Sequence, residues 1–212
     1  MRTLLVGGLL LASVSAQGGI GIFTRSDDIG SPALKGVAGF DAKSHDYTVS
    51  GSGADIWGKA DQFHFIWRQM SGNFAVTATT TFLTEGIAHR KASIMLRKTL
   101  DADAPFVHLA MHGDGMPSVQ FRSVKGDTVN TLDFPIGSPG AWTLKLIRQG
   151  STISVALGKP GASLVELGNT QSALGDPLLV GLAVASHSVD AINTVRFSDV
   201  RVELLPPSAA PR

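Results

Sequence analysis

Apolar and polar residues alternate with a period of two along most of the chain. Residues 62–70 set Phe63, Phe65 and Trp67 on one side and His64, Ile66 and Arg68 on the other, which predicts a half-buried strand with an aromatic inner face. Residues 74–82 put Phe74, Val76 and Phe82 on one parity and Thr77, Thr79 and Thr81 on the other, the pattern of a strand with one wet face. Further strands are predicted over 92–98, 106–112, 118–122, 142–148, 152–157, 178–187 and 194–204. Turn sequences such as Gly113-Asp114-Gly115, Lys125-Gly126-Asp127, Gln149-Gly150-Ser151 and Lys159-Pro160-Gly161 recur at short spacing, which favours antiparallel hairpins over βαβ crossovers. No segment reads as a long amphipathic helix, and no fixed-period repeat suggests a propeller or solenoid. So many strands predict an all-β, two-sheet antiparallel sandwich.

The ends read differently. Arg2, the apolar stretch 4–12 and the small residues Val14-Ser15-Ala16 have the form of a signal peptide over 1–16, too short to cross a bilayer as a helix, which needs roughly 20 residues. A periplasmic or secreted protein, not inserted in the membrane after cleavage, is the expectation. The sandwich domain is expected over 17–204, and the proline-rich residues 205–212 form a short tail. Composition adds exclusions. With 18 Lys and Arg against 17 Asp and Glu, the chain lacks the basic excess of a general nucleic-acid binder. With no cysteine it has neither disulfides, nor a thiolate metal site, nor a cysteine nucleophile.

The stretch Tyr47-Thr48-Val49-Ser50-Gly51-Ser52-Gly53-Ala54-Asp55-Ile56-Trp57-Gly58, followed by Asp61-Gln62-Phe63-His64-Phe65-Ile66-Trp67, resembles bacterial secreted concanavalin A-like domains. Residues 91–97, 119–122, 142–148 and 180–187 resemble the same group in the same order, so the likeness spans roughly residues 21–203. The resemblance implies a jelly-roll sandwich of the group often labelled regulation-of-enolase-like. It implies no established reaction, and the wider lectin and glucanase fold hosts binders, glycosidases and lyases.

Sorting each strand by parity, with the apolar set inward, leaves an unusual outward set: His64, Met95, Arg97, His108, His112, Gln120, Arg122 and His187. It lacks the Thr, Lys and Glu mixture of a solvated face. If these strands share a sheet, they form a His/Arg/Gln face, and Gly181, Ala183 and Ala185 beside His187 leave room for a ligand on a concave floor. Trp57, in a glycine-flanked loop, is a candidate platform for a sugar ring.

Carbohydrate binding on that face is the leading functional expectation, with an oligo- or polysaccharide as partner. A retaining glycosidase needs two carboxylates about 5 Å apart, and Glu85, Glu166 and Glu203 all fall in loops or at the chain end. The enzyme alternative is a polysaccharide lyase or hydrolase with His108 as base and Arg97 and Arg122 holding the substrate. Jelly-roll alginate lyases, which this arrangement loosely resembles, use a late-strand tyrosine as acid, whereas the single tyrosine here is Tyr47. A third class is a non-catalytic envelope module that binds a protein partner. No cofactor is required. Asp27, Asp28 and Asp199 would hold a structural calcium if the first and last strands pair.

Overall fold

The computed structural model describes residues 20–207; the expected signal peptide at 1–16 lies outside the described residues. Fourteen strands and no helix form among them: β1 (Arg25–Ile29), β2 (Val37–Phe40), β3 (Tyr47–Gly53), β4 (Phe63–Met70), β5 (Phe74–Phe82), β6 (Lys91–Arg97) and β7 (Phe106–His112), then β8 (Pro117–Arg122), β9 (Asn130–Asp133), β10 (Trp142–Gln149), β11 (Thr152–Gly158), β12 (Val165–Gln171), β13 (Leu178–Ala185) and β14 (Ser188–Leu204). Every pairing between strands is antiparallel.

Two seven-stranded sheets result. The first runs β1-β4-β13-β6-β7-β8-β9 and the second β12-β11-β10-β5-β14-β3-β2. The expected hairpin turns fall between β7 and β8, β8 and β9, β10 and β11, and β11 and β12. Chain neighbours such as β4 and β5, or β13 and β14, lie in different sheets, and these crossings make the jelly roll.

The main core lies between the sheets. Ile66, Ile94, Leu96, Leu109, Val180 and Leu182 of the first sheet meet Phe74, Val76, Leu144, Leu146, Val195 and Phe197 of the second, all buried. Trp142 belongs to this core. Thr77, Thr79 and Thr81 of β5 take the opposite parity to Phe74 and Val76, as the alternation predicts, but only Thr77 and Thr81 are partly exposed, Thr79 being buried.

The glycine-rich stretch Gly51-Ser52-Gly53 is the end of β3. A Cβ on Gly51 would lie 2.3 Å from the Val184 carbonyl oxygen, so glycine lets the two sheets close at this end. In β4 the parity is reversed: Ile66 enters the inter-sheet core while Phe63, Phe65 and Trp67 belong to the outer face of the first sheet. The tail is tied at its start, where Leu205 N–H donates to Asn73 O at 2.9 Å and Asn73 Nδ2 donates to Pro206 O at 2.9 Å.

Candidate functional site

The register places one row of side chains on the outer face of the first sheet. Met95 pairs with His108 and His108 with Gln120; Arg97 pairs with Phe106 and Phe106 with Arg122; Lys91 pairs with His112. Residues paired across strands share a face, so Met95, Arg97, His108, His112, Gln120 and Arg122 share this one. His64 does not. It lies on the inner side, where its Nδ1 is 2.7 Å from Asp28 Oδ1 and its Nε2 is 2.8 Å from Ser26 Oγ. The expectation of an outward His64 fails because β4 is buried on both faces, so its aromatic parity does not mark the inter-sheet side.

Most of this face is covered by chain rather than open to a ligand. Ile56, fully buried, packs from the loop before β4 onto a second small core with Phe63, Phe65, Met95, Phe106, Ala183 and Ala185. The small residues expected to leave an open floor are therefore roofed over, and Gly181 serves strand packing: a Cβ there would lie 1.8 Å from Ile66 O.

The same loop is pinned by Asp61, which is fully buried between two fully buried arginines. Arg97 Nη1 donates to Asp61 Oδ2 at 2.7 Å, and Arg122 donates Nη2 to Oδ1 at 2.7 Å and Nη1 to Oδ2 at 2.8 Å. The remaining donors go to carbonyls: Arg97 Nε to Thr99 O at 3.0 Å, Arg122 Nε to Asp127 O at 2.9 Å and Arg122 Nη2 to Gly58 O at 3.0 Å. Aromatic faces complete the cage, with the Arg122 guanidinium 5.1 Å from the Phe106 ring centre. Burial pulls the Arg97 pKa down while Asp61 opposes that shift. Both arginines thus join the loops around residues 58, 99–104 and 127 to the sheet.

Beyond the roofed part, the face opens into a cleft of about 300 Å³ lined by Trp57, His112, Gln120 and His187, together with Asp55, His89, Lys91, Thr131 and Asp133. Lys91 is 2% exposed and forms an ion pair with Asp55. Asp55 Oδ1 also accepts Ile56 N–H at 2.7 Å, and Asp55 Oδ2 lies 3.2 Å from His187 Nδ1. Burial lowers the Lys91 pKa, with Asp55 working against it. His112 Nδ1 donates to Met116 O at 2.9 Å, so in the neutral ring Nε2 is left as an acceptor. Burial first and then the Lys91 charge lower its pKa. His89 lies 5.6 Å from both His112 and His187, ring centre to ring centre. At the mouth, the Trp57 indole is 42% exposed, with Lys91 Nζ 5.7 Å from its centre.

His108 sits beneath this cleft with no exposed surface. Its Nε2 lies 2.9 Å from Gln120 Oε1 and its Nδ1 3.2 Å from Ser93 Oγ. Burial, reinforced by the charge of Lys91, pushes its pKa down to about 3. The ring is neutral at physiological pH, donating from Nε2 to Gln120 and accepting at Nδ1.

Of the expected ligand-binding residues, then, the cleft gathers Trp57, His112, Gln120 and His187; His108 supports it from below, Arg97 and Arg122 hold its loop, and His64 lies apart. Asp55, Asp61, His89, Lys91 and Asp133 were not anticipated. Lys91 shares the odd parity of Met95 and Arg97, and would have emerged had the strand been started one residue earlier. Asp27 accepts Trp67 Nε1–H at 2.7 Å, and Asp28 binds His64 and the Gly36 N–H at 3.0 Å. The condition for a calcium site is not met, since β1 and β14 are in different sheets and Asp199 does not join Asp27 and Asp28. Among the described residues no cluster of three or more histidines and carboxylates has metal-holding geometry.

No protein-family model matches the sequence, and no curated protein matches it. Among solved structures, the fold is similar to that of a functionally unknown protein from Saccharomyces cerevisiae, with a TM-score of 0.64 and 13% identity over 83% of this chain and 100% of that one. It is also similar to the carbohydrate-binding module CBM66 from Bacillus subtilis, at TM-score 0.55 and 15% identity over 88% and 99% of the two chains. The GH43 protein BlXynB from Bacillus licheniformis is similar at TM-score 0.59 and 15% identity, over 76% of this chain and 33% of that one. The protein is an all-β jelly-roll sandwich of the concanavalin A-like class.

Proposed function

We propose that this protein is an exported carbohydrate-binding module that takes a glycan in the cleft of Asp55, Trp57, Lys91, His112, Gln120 and His187. The observation that carries the reading is the half-exposed Trp57 indole at the mouth of a cleft whose other lining residues, Met116 apart, carry hydrogen-bonding side chains. A sugar presents an apolar C–H face and a rim of hydroxyls, and such a cleft offers an aromatic plane for the first and a mixture of donors and acceptors for the second. Asp55 and Lys91 are paired with one another, so they order hydroxyls without the desolvation cost of a lone buried charge.

The likeness to CBM66 supports a binding role, and the pattern at 1–16 supports export. Binding without turnover also agrees with the placement of the residues offered for catalysis. His108 is buried and neutral, and Arg97 and Arg122 have their donors committed to Asp61 and to carbonyls.

The test is affinity electrophoresis of the mature protein in gels containing neutral or anionic polysaccharides, with chromatography of each polymer before and after incubation. Retardation by at least one polymer, left intact, is expected. Trp57→Ala should weaken retention roughly two- to tenfold, in line with the ~0.5–1.5 kcal/mol of an aromatic contact beyond its area, with an unchanged melting temperature. Shortened products would establish the enzyme alternative. Retention by no polymer, with capture of an envelope protein, would replace the proposal by the interaction-module reading.

A further inference from the structure

A second cavity, of about 390 Å³, opens on the other side of the segment 84–91, lined by residues including Thr81, Phe82, Glu85, Arg90 and Asp114. Arg90 is the feature that distinguishes it. His89 and Lys91 turn toward the glycan cleft, and Arg90 between them turns away. Its side chain is 7% exposed, and among the described residues no carboxylate lies within 4 Å of its guanidinium. The other strongly buried cations, Lys91, Arg97, Arg122 and Arg148, each have an aspartate.

The guanidinium is nonetheless held firmly. Nη1 donates to Gly86 O at 2.8 Å and to Ile87 O at 3.0 Å. The Phe82 ring centre is 4.8 Å from Cζ. Gly113 leaves the space the group occupies, since a Cβ there would lie 2.4 Å from Nη1. What remains is one edge of the fork: Nε is buried with no hydrogen-bond partner, and Nη2 has none among the described residues. Nε–H and Nη2–H point in parallel and match the two oxygens of a carboxylate, sulfate or phosphate. A buried cation without a counter-ion is costly, and a buried donor without an acceptor adds to that cost.

The geometry points to an oxyanion-binding site in this cavity, in which the Nε/Nη2 edge of Arg90 takes a carboxylate, sulfate or phosphate group, free or carried on a sugar. This site is separate from the glycan cleft and stands whether or not that cleft binds sugar. Glu85 and Asp114, both exposed on the rim, set its strength. Asp114 is partly occupied, its Oδ1 accepting Met116 N–H at 3.0 Å. Glu85 makes no ion pair among the described residues and repels an incoming anion.

The experiment follows the Arg90 Nε–H resonance of the isotope-labelled full chain, assigned by through-bond correlation. The protein is titrated with sodium sulfate, then with sodium glucuronate, against sodium chloride of equal ionic strength and against glucose. A saturating shift of this resonance in sulfate, absent in chloride and glucose, is expected. Saturation in glucuronate as well assigns the site to an acid carried on a sugar, and saturation in sulfate alone assigns it to a free inorganic ion. A shift that stays linear, or that chloride reproduces, overturns the proposal. Gly113→Ala, which drives a methyl into the guanidinium position, should abolish saturation, and Glu85→Gln should lower the half-saturating sulfate concentration severalfold. Unchanged saturation in Gly113→Ala would move the site away from Arg90.

Discussion

His108 makes stability depend on pH in a direction and amount that follow from its burial. In the folded protein the ring binds a proton only near pH 3, against 6.5 for a free imidazole. Between those values the unfolded chain carries a proton that the folded chain refuses. The unfolded state is therefore favoured as pH falls, and the stability due to a neutral His108 is complete above pH 6.5 and lost progressively below it. Each pH unit below 6.5 costs about 1.4 kcal/mol, so the fall from pH 7 to pH 5 costs about 2 kcal/mol. This amount is insensitive to the exact folded value, provided that value lies well below 5. The perturbation is His108→Gln, which keeps a polar side chain between Ser93 and Gln120 and removes the titration. Urea denaturation of both proteins at pH 7, 6 and 5, followed by tryptophan fluorescence, reads the effect. With a slope of roughly 2 kcal/mol per molar urea, the wild-type midpoint should fall by about 1 M more than that of the variant. The lowered pKa of His112 acts in the same direction but is common to both proteins and cancels. Parallel losses in the two proteins would refute the reasoning, since they would mean that His108 titrates in the fold as it does outside it.

Two further outcomes test the architecture. Asp61→Asn leaves two buried guanidinium groups without a counter-ion, and a loss of about 3–5 kcal/mol is expected in denaturation experiments at neutral pH; a loss below 1 kcal/mol would show that the surrounding carbonyls suffice. Gly181→Ala places a methyl 1.8 Å from the Ile66 carbonyl oxygen, a backbone atom that cannot turn aside. A cost of about 3 kcal/mol, at the upper end for overpacking, is expected in the same assay, and a neutral result would mean that β4 and β13 separate freely.

The limits of reading this molecule from its sequence lie in particular places. The strands with clean alternation, β10 and β11, follow their pattern because one face meets the core and the other meets water or long polar side chains. β4 misled because the residues before it fold back as a roof, so a strand buried on both sides displays its largest aromatics away from the main core. β9 and β12 escaped notice because they are edge strands of largely exposed, polar residues, where period two carries little signal. For the site, parity alone brought Arg97, His108, His112, Gln120 and Arg122 onto one face. It did not separate those that meet a ligand from those that meet Asp61, because that depends on a loop contact between residues far apart in the chain. Arg90 carried no signal at all, since its character lies in a partner it lacks.

The Asp61 pin also bears on when the cleft comes into being. Its bonds join residue 61 to partners 36 and 61 positions further along the chain. Contacts of such separation form only after long loops have closed. Until β6 and β8 are both in place, the loop carrying Asp55 and Trp57 lacks part of its anchorage, since Arg97 comes from β6 and Arg122 from β8, and the wall of the cleft is incomplete. Ligand capture is accordingly a property of the finished sandwich, and during refolding it should appear only after the strands have assembled, with no fraction in the early phases.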